Sequence, residues 1–440
     1  MARPIVTVKE SSSQFMPPPK RIQSLTSETS RSQSVDSSAP IRSLSRASTE
    51  VRRDSPTLIG SVHSQAEDSD DAEQAVDRSP PSLSEFPDTS EANRRPPQFK
   101  RRPHEIPTKY ETRLMTVCGE FVCTTGYVTR VWSLLTGGLL MSLVHGDTTK
   151  VTAVAFKPAK NVEDEGTRLW LGTNAGEIYE VDIPSQIVVF TKANAHPRRE
   201  IVKMYRHAAE MWSLDDDGKL HVWPSDETGL ASLAQTPLSF RVPKGHLCST
   251  TVGKQLWIAT GKDTRVFERN HDVSAFSEVL QRPLSQPGVG EATSCTTISS
   301  QPDRIYFGHT DGKVTMFSTK DYSCLGCVNV SLYKISSLVG VGDYLWAGYK
   351  TGMIYVYDTT CYPWKVKKDW HAHDNPIAGM TVDRSSVWKL DRLQVVSLGT
   401  DNMVRLWDGV LTEDWLGKDT TCLVDSSRLT SHSRTRHAKT

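Results

Sequence analysis

The stretch LWAGYKTGMIYVYD, Leu345 to Asp358, decides the fold. It reads as an apolar segment opened by Leu-Trp, a short turn at Gly352, and a second, alternating segment. In that second segment Ile354 and Val356 share one face, and Met353, Tyr355 and Tyr357 share the other, because successive strand side chains point to opposite sides. Gly352 stands where a tight hairpin requires positive φ. The same design recurs as LWLGTNAGEIYEVD from Leu169, MWSLDDDGKLHVWP from Met211 and QLWIATGKDTRVFE from Gln255. Further copies are IYFGHTDGKVTMFS from Ile305, VVSLGTDNMVRLWD from Val395 and a weaker EFVCTTGYVTRVWS from Glu120. That makes seven copies, starting 40 to 50 residues apart.

The turn slot holds Gly176, Gly218, Gly312, Gly352 and Asn402, and the shorter fourth copy places Asp263 there. The penultimate slot is aromatic in six copies: Trp132, Trp223, Phe267, Phe317, Tyr357 and Trp407. Six of the 11 Trp fall in this slot or in the second position of a copy, and a seventh, Trp257, in the third position of the fourth copy. A short apolar strand precedes each hairpin, as in VTAVAF from Val151 and IAGMTV from Ile377, and a fourth follows it, as in LLMSLVH after Leu139. Four short strands at this period define a propeller blade, and only stacking in a ring supplies each blade with a core. The reading is an all-β, seven-bladed propeller over residues 109–416. The fourth strand of the last blade comes either from VLTEDWL, Val410 to Leu416, or from residues just before Tyr110.

Outside the ring the composition changes. All 11 Trp, 12 Tyr and 8 Cys follow residue 109, whereas the first hundred residues carry 21 Ser and 11 Pro. Such a chain buries too little apolar area to offset about 1–2 kcal/mol of backbone entropy per residue. Residues 1–108 therefore read as a disordered arm, and the polar residues 417–440 as a disordered tail. The arm offers phosphorylation-like contexts at Ser45, Ser55 and Ser79. It also carries a basic cluster, Arg94, Arg95, Lys100, Arg101 and Arg102, suited to anionic lipid or to nuclear import, or simply to solvent.

The chain as a whole is balanced, with 52 basic and 51 acidic residues, which argues against a mainly nucleic-acid-binding protein. The stretch LLTGGLLMSLV is too short to span a membrane, and MARPIVTVKESSS lacks an apolar signal core. The expectation is a cytoplasmic protein with reduced thiols, peripheral to membranes where the arm meets lipid.

No catalytic motif is present: no G-x-x-x-x-G-K-[ST], no G-x-S-x-G and no H-E-x-x-H. The C-x-x-C of Cys324 and Cys327 lacks a second pair and reads as part of an outer strand. His371 and His373, with Asp374, mimic a metal site, and Asp215 to Asp217 fill a turn slot. No catalytic, cofactor or metal residue is assigned.

These repeats resemble the WD-repeat family. Trp407-Asp408 and Trp223-Pro224 stand where that family places its Trp-Asp pair. His145, His196, His246 and His373 precede innermost strands, where the family has Gly-His, a pair kept only at Gly245-His246. The match is degenerate, so the family's Asp–His–Ser–Trp hydrogen-bond set is not expected in every blade. The segments CGEFVCTTGYVTRVWSLLTGG from Cys118, HGDTTKVTAVAFKPA from His145 and EMWSLDDDGKLHVW from Glu210 are more specific. They resemble the N-terminal propeller of fungal inositol polyphosphate 5-phosphatases.

In that family a Mg²⁺-dependent phosphatase domain follows the propeller. Its motifs do not occur here, so the resemblance transfers no catalytic residue, and no cofactor is expected of this chain. The resemblance implies a non-catalytic scaffold that binds proteins through its faces, as a part or truncated form of a phosphoinositide 5-phosphatase. The alternatives are a stand-alone adaptor or substrate receptor of an unrelated complex, and a Mg²⁺-dependent phosphatase by family.

Overall fold

The structure is a computed structural model that describes residues 82–83, 86–99, 104–108, 112–271, 274–383 and 393–411. Among the described residues seven sheets follow one another along the chain, each built on a four-stranded antiparallel blade. Blade 1 comprises Leu114–Cys118, Phe121–Thr125, Val128–Ser133 and Leu139–Val144. Blade 2 comprises Val151–Phe156, Arg168–Thr173, Ile178–Asp182 and Ile187–Lys192. Blade 3 runs from Ile201–His207 through Glu210–Asp215 and Lys219–Trp223 to Leu238–Arg241. Blade 4 runs from Cys248–Val252 through Gln255–Thr260 and Asp263–Asn270 to Ala275–Glu278. Blade 5 spans Ala292–Ile298 to Cys324–Asn329, and blade 6 spans Ile335–Val341 to Lys365–His371. Blade 7 contributes Ile377–Asp383, Gln394–Gly399 and Met403–Asp408.

The fourth strand of blade 7 is Glu105–Pro107, which pairs antiparallel with Met403 to Arg405. The ring is thus closed by residues ahead of Tyr110; Leu411 is the last described residue of the alternative candidate. Burial explains the closure. Seven apolar clusters occur among the described residues, one at each interface between neighbouring blades. The alternation read in MIYVYD is realised: Ile354 and Val356 pack toward blade 7, and Tyr355 and Tyr357 pack toward blade 5. Trp170, Trp212, Trp223, Trp257 and Trp346 are fully buried at these interfaces. At about 25 cal/mol per Å² of apolar surface, such burial is the main stabilising term of the ring.

The expectation of an unfolded segment up to residue 108 is corrected where the chain is described. Ser82–Leu83 runs parallel to Cys327 and Val328 on the outer edge of blade 5. Asp88 and Asn93 bridge the outer strand of blade 6 at Lys365 and Lys368. Pro97 accepts the Asp408 N–H of blade 7 at 2.7 Å. Phe99 and Ile106 are only 2% and 1% exposed, sunk between blades 7 and 1. The segment has no core of its own; ready-made sheet edges supply the backbone partners and apolar contacts that its composition lacks.

The turn glycines do more than tolerate positive φ. Gly176, Gly218, Gly312 and Gly352 have φ of 82°, 80°, 78° and 79°. A Cβ on any of them would lie 1.7 to 2.2 Å from a carbonyl oxygen of the chain arriving from the outer strand. Asn402 takes the same slot in blade 7 with φ 60°. In blade 4 the positive φ falls on Gly261 rather than on Asp263, which opens the third strand. Around Gly261 a Cβ would meet open space.

Gly352→Val is therefore expected to cost at least ~2 kcal/mol, from backbone strain and from a clash with the His373 carbonyl 1.9 Å from the new Cβ. Gly261→Asn should change stability by no more than about 0.5 kcal/mol. Thermal unfolding of the two variants checks the pair, and equal melting temperatures would contradict the packing assigned to Gly352.

Candidate interaction surface

Two blades carry a complete polar network under the ring's surface. In blade 3, Trp223 Nε1 donates to Ser213 Oγ at 2.9 Å, and Ser213 lies 2.8 Å from His196 Nε2. His196 Nδ1 reaches Asp215 at 2.9 Å, and Asp215 accepts the backbone N–H of Asp217 and Lys219. In blade 7, Trp407 Nε1 donates to Ser397 at 2.8 Å, Ser397 sits 2.7 Å from His373 Nε2, and His373 Nδ1 faces Asp401 at 3.1 Å. Each network ties the loop entering a blade to its second strand, third strand and intervening turn.

The other blades hold only substitutes. In blade 5, His309 sits on the second strand, 2.8 Å from Thr315 Oγ1 and 3.0 Å from the Gly290 carbonyl. Blade 6 pairs the hydroxyls of Tyr349 and Tyr357 at 2.7 Å. Blade 1 joins Trp132 to Thr124 at 3.1 Å, and His145 turns to Thr129 at 2.7 Å. His246, from the surviving Gly-His pair, bonds Ser249 instead of a tetrad partner. His373 is accounted for by its tetrad, while His371 ends the outer strand of blade 6, exposed. Cys324 and Cys327 lie on the outer strand of blade 5, with burial raising the Cys327 thiol to about 11.

The buried imidazoles are held neutral. Burial pushes His196 and His373 below the usual value of about 6.5, outweighing the adjacent carboxylates. Burial takes His221 down to about 3 and His246 to about 4. His221 stacks on His196 at 4.2 Å, and neither of its ring nitrogens has a hydrogen-bond partner among the described residues.

The basic cluster divides. Arg94 and Arg95 are exposed on the strap over blade 6, while Lys100, Arg101 and Arg102 lie outside the described residues. Ser45, Ser55 and Ser79 lie outside them as well. Beneath the strap, Lys368 is fully buried, and burial with Arg95 nearby lowers its ammonium to about 8.

The outer rim differs from blade to blade. The segment ahead of the ring lies along the outer strands of blades 5 and 6 and then supplies the outer strand of blade 7. The outer strand of blade 2 presents Ile187, Val188, Val189 and Phe190, each 38% to 54% exposed. On the neighbouring outer strand Leu139 and Val144 are 49% and 74% exposed. A groove of about 260 Å³ runs between the two, lined by Leu143, Val144, Tyr179 and Val188. An apolar sheet edge of this kind is a template for an added strand. The sequence shows these strands but not that their apolar side chains stay exposed at the rim.

No family model matches the chain. It is 35% identical over 414 residues to a probable inositol polyphosphate 5-phosphatase of Schizosaccharomyces pombe. The match takes in 92% of this chain and 32% of that relative, so the chain spans about a third of the relative's length. A chain in a crystal structure of a mitotic checkpoint complex superposes with a TM-score of 0.54 at 14% identity, over 80% of this chain and 99% of its own. That likeness concerns the fold alone. The chain is thus a WD-like seven-bladed propeller that resembles part of a protein named for inositol polyphosphate 5-phosphatase activity. Among the described residues no helix is long and apolar enough to cross a membrane.

Ser397→Ala should strand Trp407 Nε1 and His373 Nε2 in a buried site, costing about 1–3 kcal/mol and several degrees of melting temperature. Calorimetry of this variant tests whether the tetrad is energetically complete.

Acid should act through the histidines. Their folded values lie below the unfolded one, so their contribution is full above about pH 6.5. It is lost as pH falls toward the folded values, about 4 for His246 and about 3 for His221. Melting temperature should therefore drop between pH 7.5 and 5, before the carboxylates lowered from 3.8, such as Asp401, begin to titrate. A flat profile over that interval would contradict neutral buried imidazoles.

Proposed function

We propose that this chain is a non-catalytic protein-interaction ring that serves phosphoinositide dephosphorylation, placing a 5-phosphatase activity among its partners. The observation that carries the reading is the uneven rim. The segment ahead of the ring covers the edges of blades 5 and 6 and completes blade 7, while the outer strands of blades 1 and 2 expose apolar side chains. The similarity to a phosphatase-named relative over 92% of this chain supports the pathway, and the buried polar networks support a structural role for the histidines. Arg94 and Arg95 provide a contact for anionic lipid headgroups that would keep the ring at a membrane surface. Phosphorylation of Ser45, Ser55 or Ser79 would add charge to the arm and regulate that contact.

Two measurements test this. The purified 440-residue chain, with Mg²⁺ present, should release no phosphate from vesicles containing phosphatidylinositol 4,5-bisphosphate. Release above background overturns the non-catalytic reading. Affinity purification from cells should recover phosphoinositide phosphatase components. An Ile187→Lys/Val189→Lys variant should lose them while melting normally, since both sites are exposed. Recovery of ubiquitin-ligase subunits alone would place the ring in an unrelated complex.

A further inference from the structure

At the junction of blades 3 and 4, three side chains from separate strands converge. His207 ends the innermost strand of blade 3, Glu210 opens the next strand, and His271 follows the third strand of blade 4. One donor atom from each lies within 4.8 Å of the other two. The turn between His207 and Glu210 is held tight, with Ala208 at a φ of 50° that a non-glycine residue rarely adopts.

The state of His207 is fixed by its surroundings. Its Nε2 lies 2.8 Å from the Gly253 carbonyl, which can only accept, so Nε2 carries the proton. Its Nδ1 therefore holds a lone pair, and that atom is buried with no hydrogen-bond partner among the described residues. The imidazole is clamped by Trp212, stacked at 4.4 Å, and lies nearly parallel to His271 at 6.0 Å. A backbone carbonyl that locks one nitrogen of a histidine and leaves the other as a donor is the usual support for a metal ligand.

Glu210 is oriented as firmly. Arg269 approaches Oε1 at 2.9 Å and Oε2 at 3.4 Å, and Trp212 Nε1 donates to Oε2 at 3.0 Å. Oε1 also lies 3.6 Å from His271 Nδ1.

We propose that His207, Glu210 and His271 form a binding site for a late first-row divalent cation of the Zn²⁺ type, bridging blades 3 and 4. Two imidazole nitrogens and one carboxylate oxygen match the donor preference of zinc and do not match Mg²⁺ or Ca²⁺, which take oxygen ligands. Tetrahedral ligands about 2.0–2.1 Å from zinc sit about 3.4 Å apart, so Glu210 Oε1 and His271 Nδ1, at 3.6 Å, are already near that spacing and the remaining donor pairs close by at most about 1.4 Å. His271, 43% exposed, has the freedom to make that movement, and solvent completes the fourth position on its side. The guanidinium of Arg269, 3% exposed, opposes the incoming charge. The site is accordingly an exchangeable one of micromolar strength rather than a permanent structural centre.

The test uses the full chain, stripped with a chelator and returned to a non-coordinating buffer at pH 7.5. Zn²⁺ should bind with one-to-one stoichiometry by calorimetry and raise the melting temperature by a few degrees, while Mg²⁺ does neither. His271→Ala should melt like the parent without metal and lose the Zn²⁺ shift. Co²⁺ or Ni²⁺ should quench a tryptophan signal that is missing in Trp212→Phe. Three results would overturn the site: no one-to-one binding below about 100 µM, a Zn²⁺ shift that survives His271→Ala, or quenching unaffected by Trp212→Phe.

Discussion

The structure depends on one strand of three residues. Glu105 to Pro107 completes the last blade, and its pairing with Met403 to Arg405 joins parts of the chain about 300 residues apart. A propeller blade has two apolar faces, and each is satisfied only by a neighbour. An open array of seven sheets would leave two such faces in water. Ile106, beside Phe99, Val122, Trp132, Val396 and Leu398, removes both of them at once. The tetrads and turn glycines adjust a ring whose existence this pairing decides.

Within the closed ring the blades need not be alike. Blades 3 and 7 use a four-membered polar network, blade 5 moves its histidine to another strand, and blade 6 uses two tyrosines. What recurs is a buried aromatic side chain near the third strand's end in six blades and, in blades 2, 3, 5 and 6, a turn glycine pressed against the incoming chain. The repeat is thus defined more by shape than by hydrogen-bond chemistry. This accounts for a sequence in which the Trp-Asp and Gly-His signatures have largely faded.

The ring itself was legible because its physics is local: a hairpin writes its alternation and its turn residue into about fourteen positions. The positive φ at Gly176, Gly218, Gly312, Gly352 and Asn402 follows from such reading, while the assignment of Asp263 fails because a shorter turn moved the strain to Gly261. Residues 86–99 and 104–108 were read as unfolded because their partners are edges of distant blades, and composition says nothing about a distant template. Phe86, Phe99 and Ile106 were the available signal: isolated apolar residues in a polar segment that the ring's edges engage. The His207, Glu210 and His271 constellation was invisible for a similar reason, since its members lie in two blades and match no spacing motif.

The closing strand also sets an order of events. During synthesis Glu105 to Pro107 leaves the ribosome before any blade exists, and its partner arrives last. Six blades can assemble while the first face of the ring stays wet and the closing strand stays unpaired. Contacts of such high sequence separation fold slowly and expose apolar surface to wrong partners in the interval. The ring's final seam is therefore its most vulnerable moment in the cell.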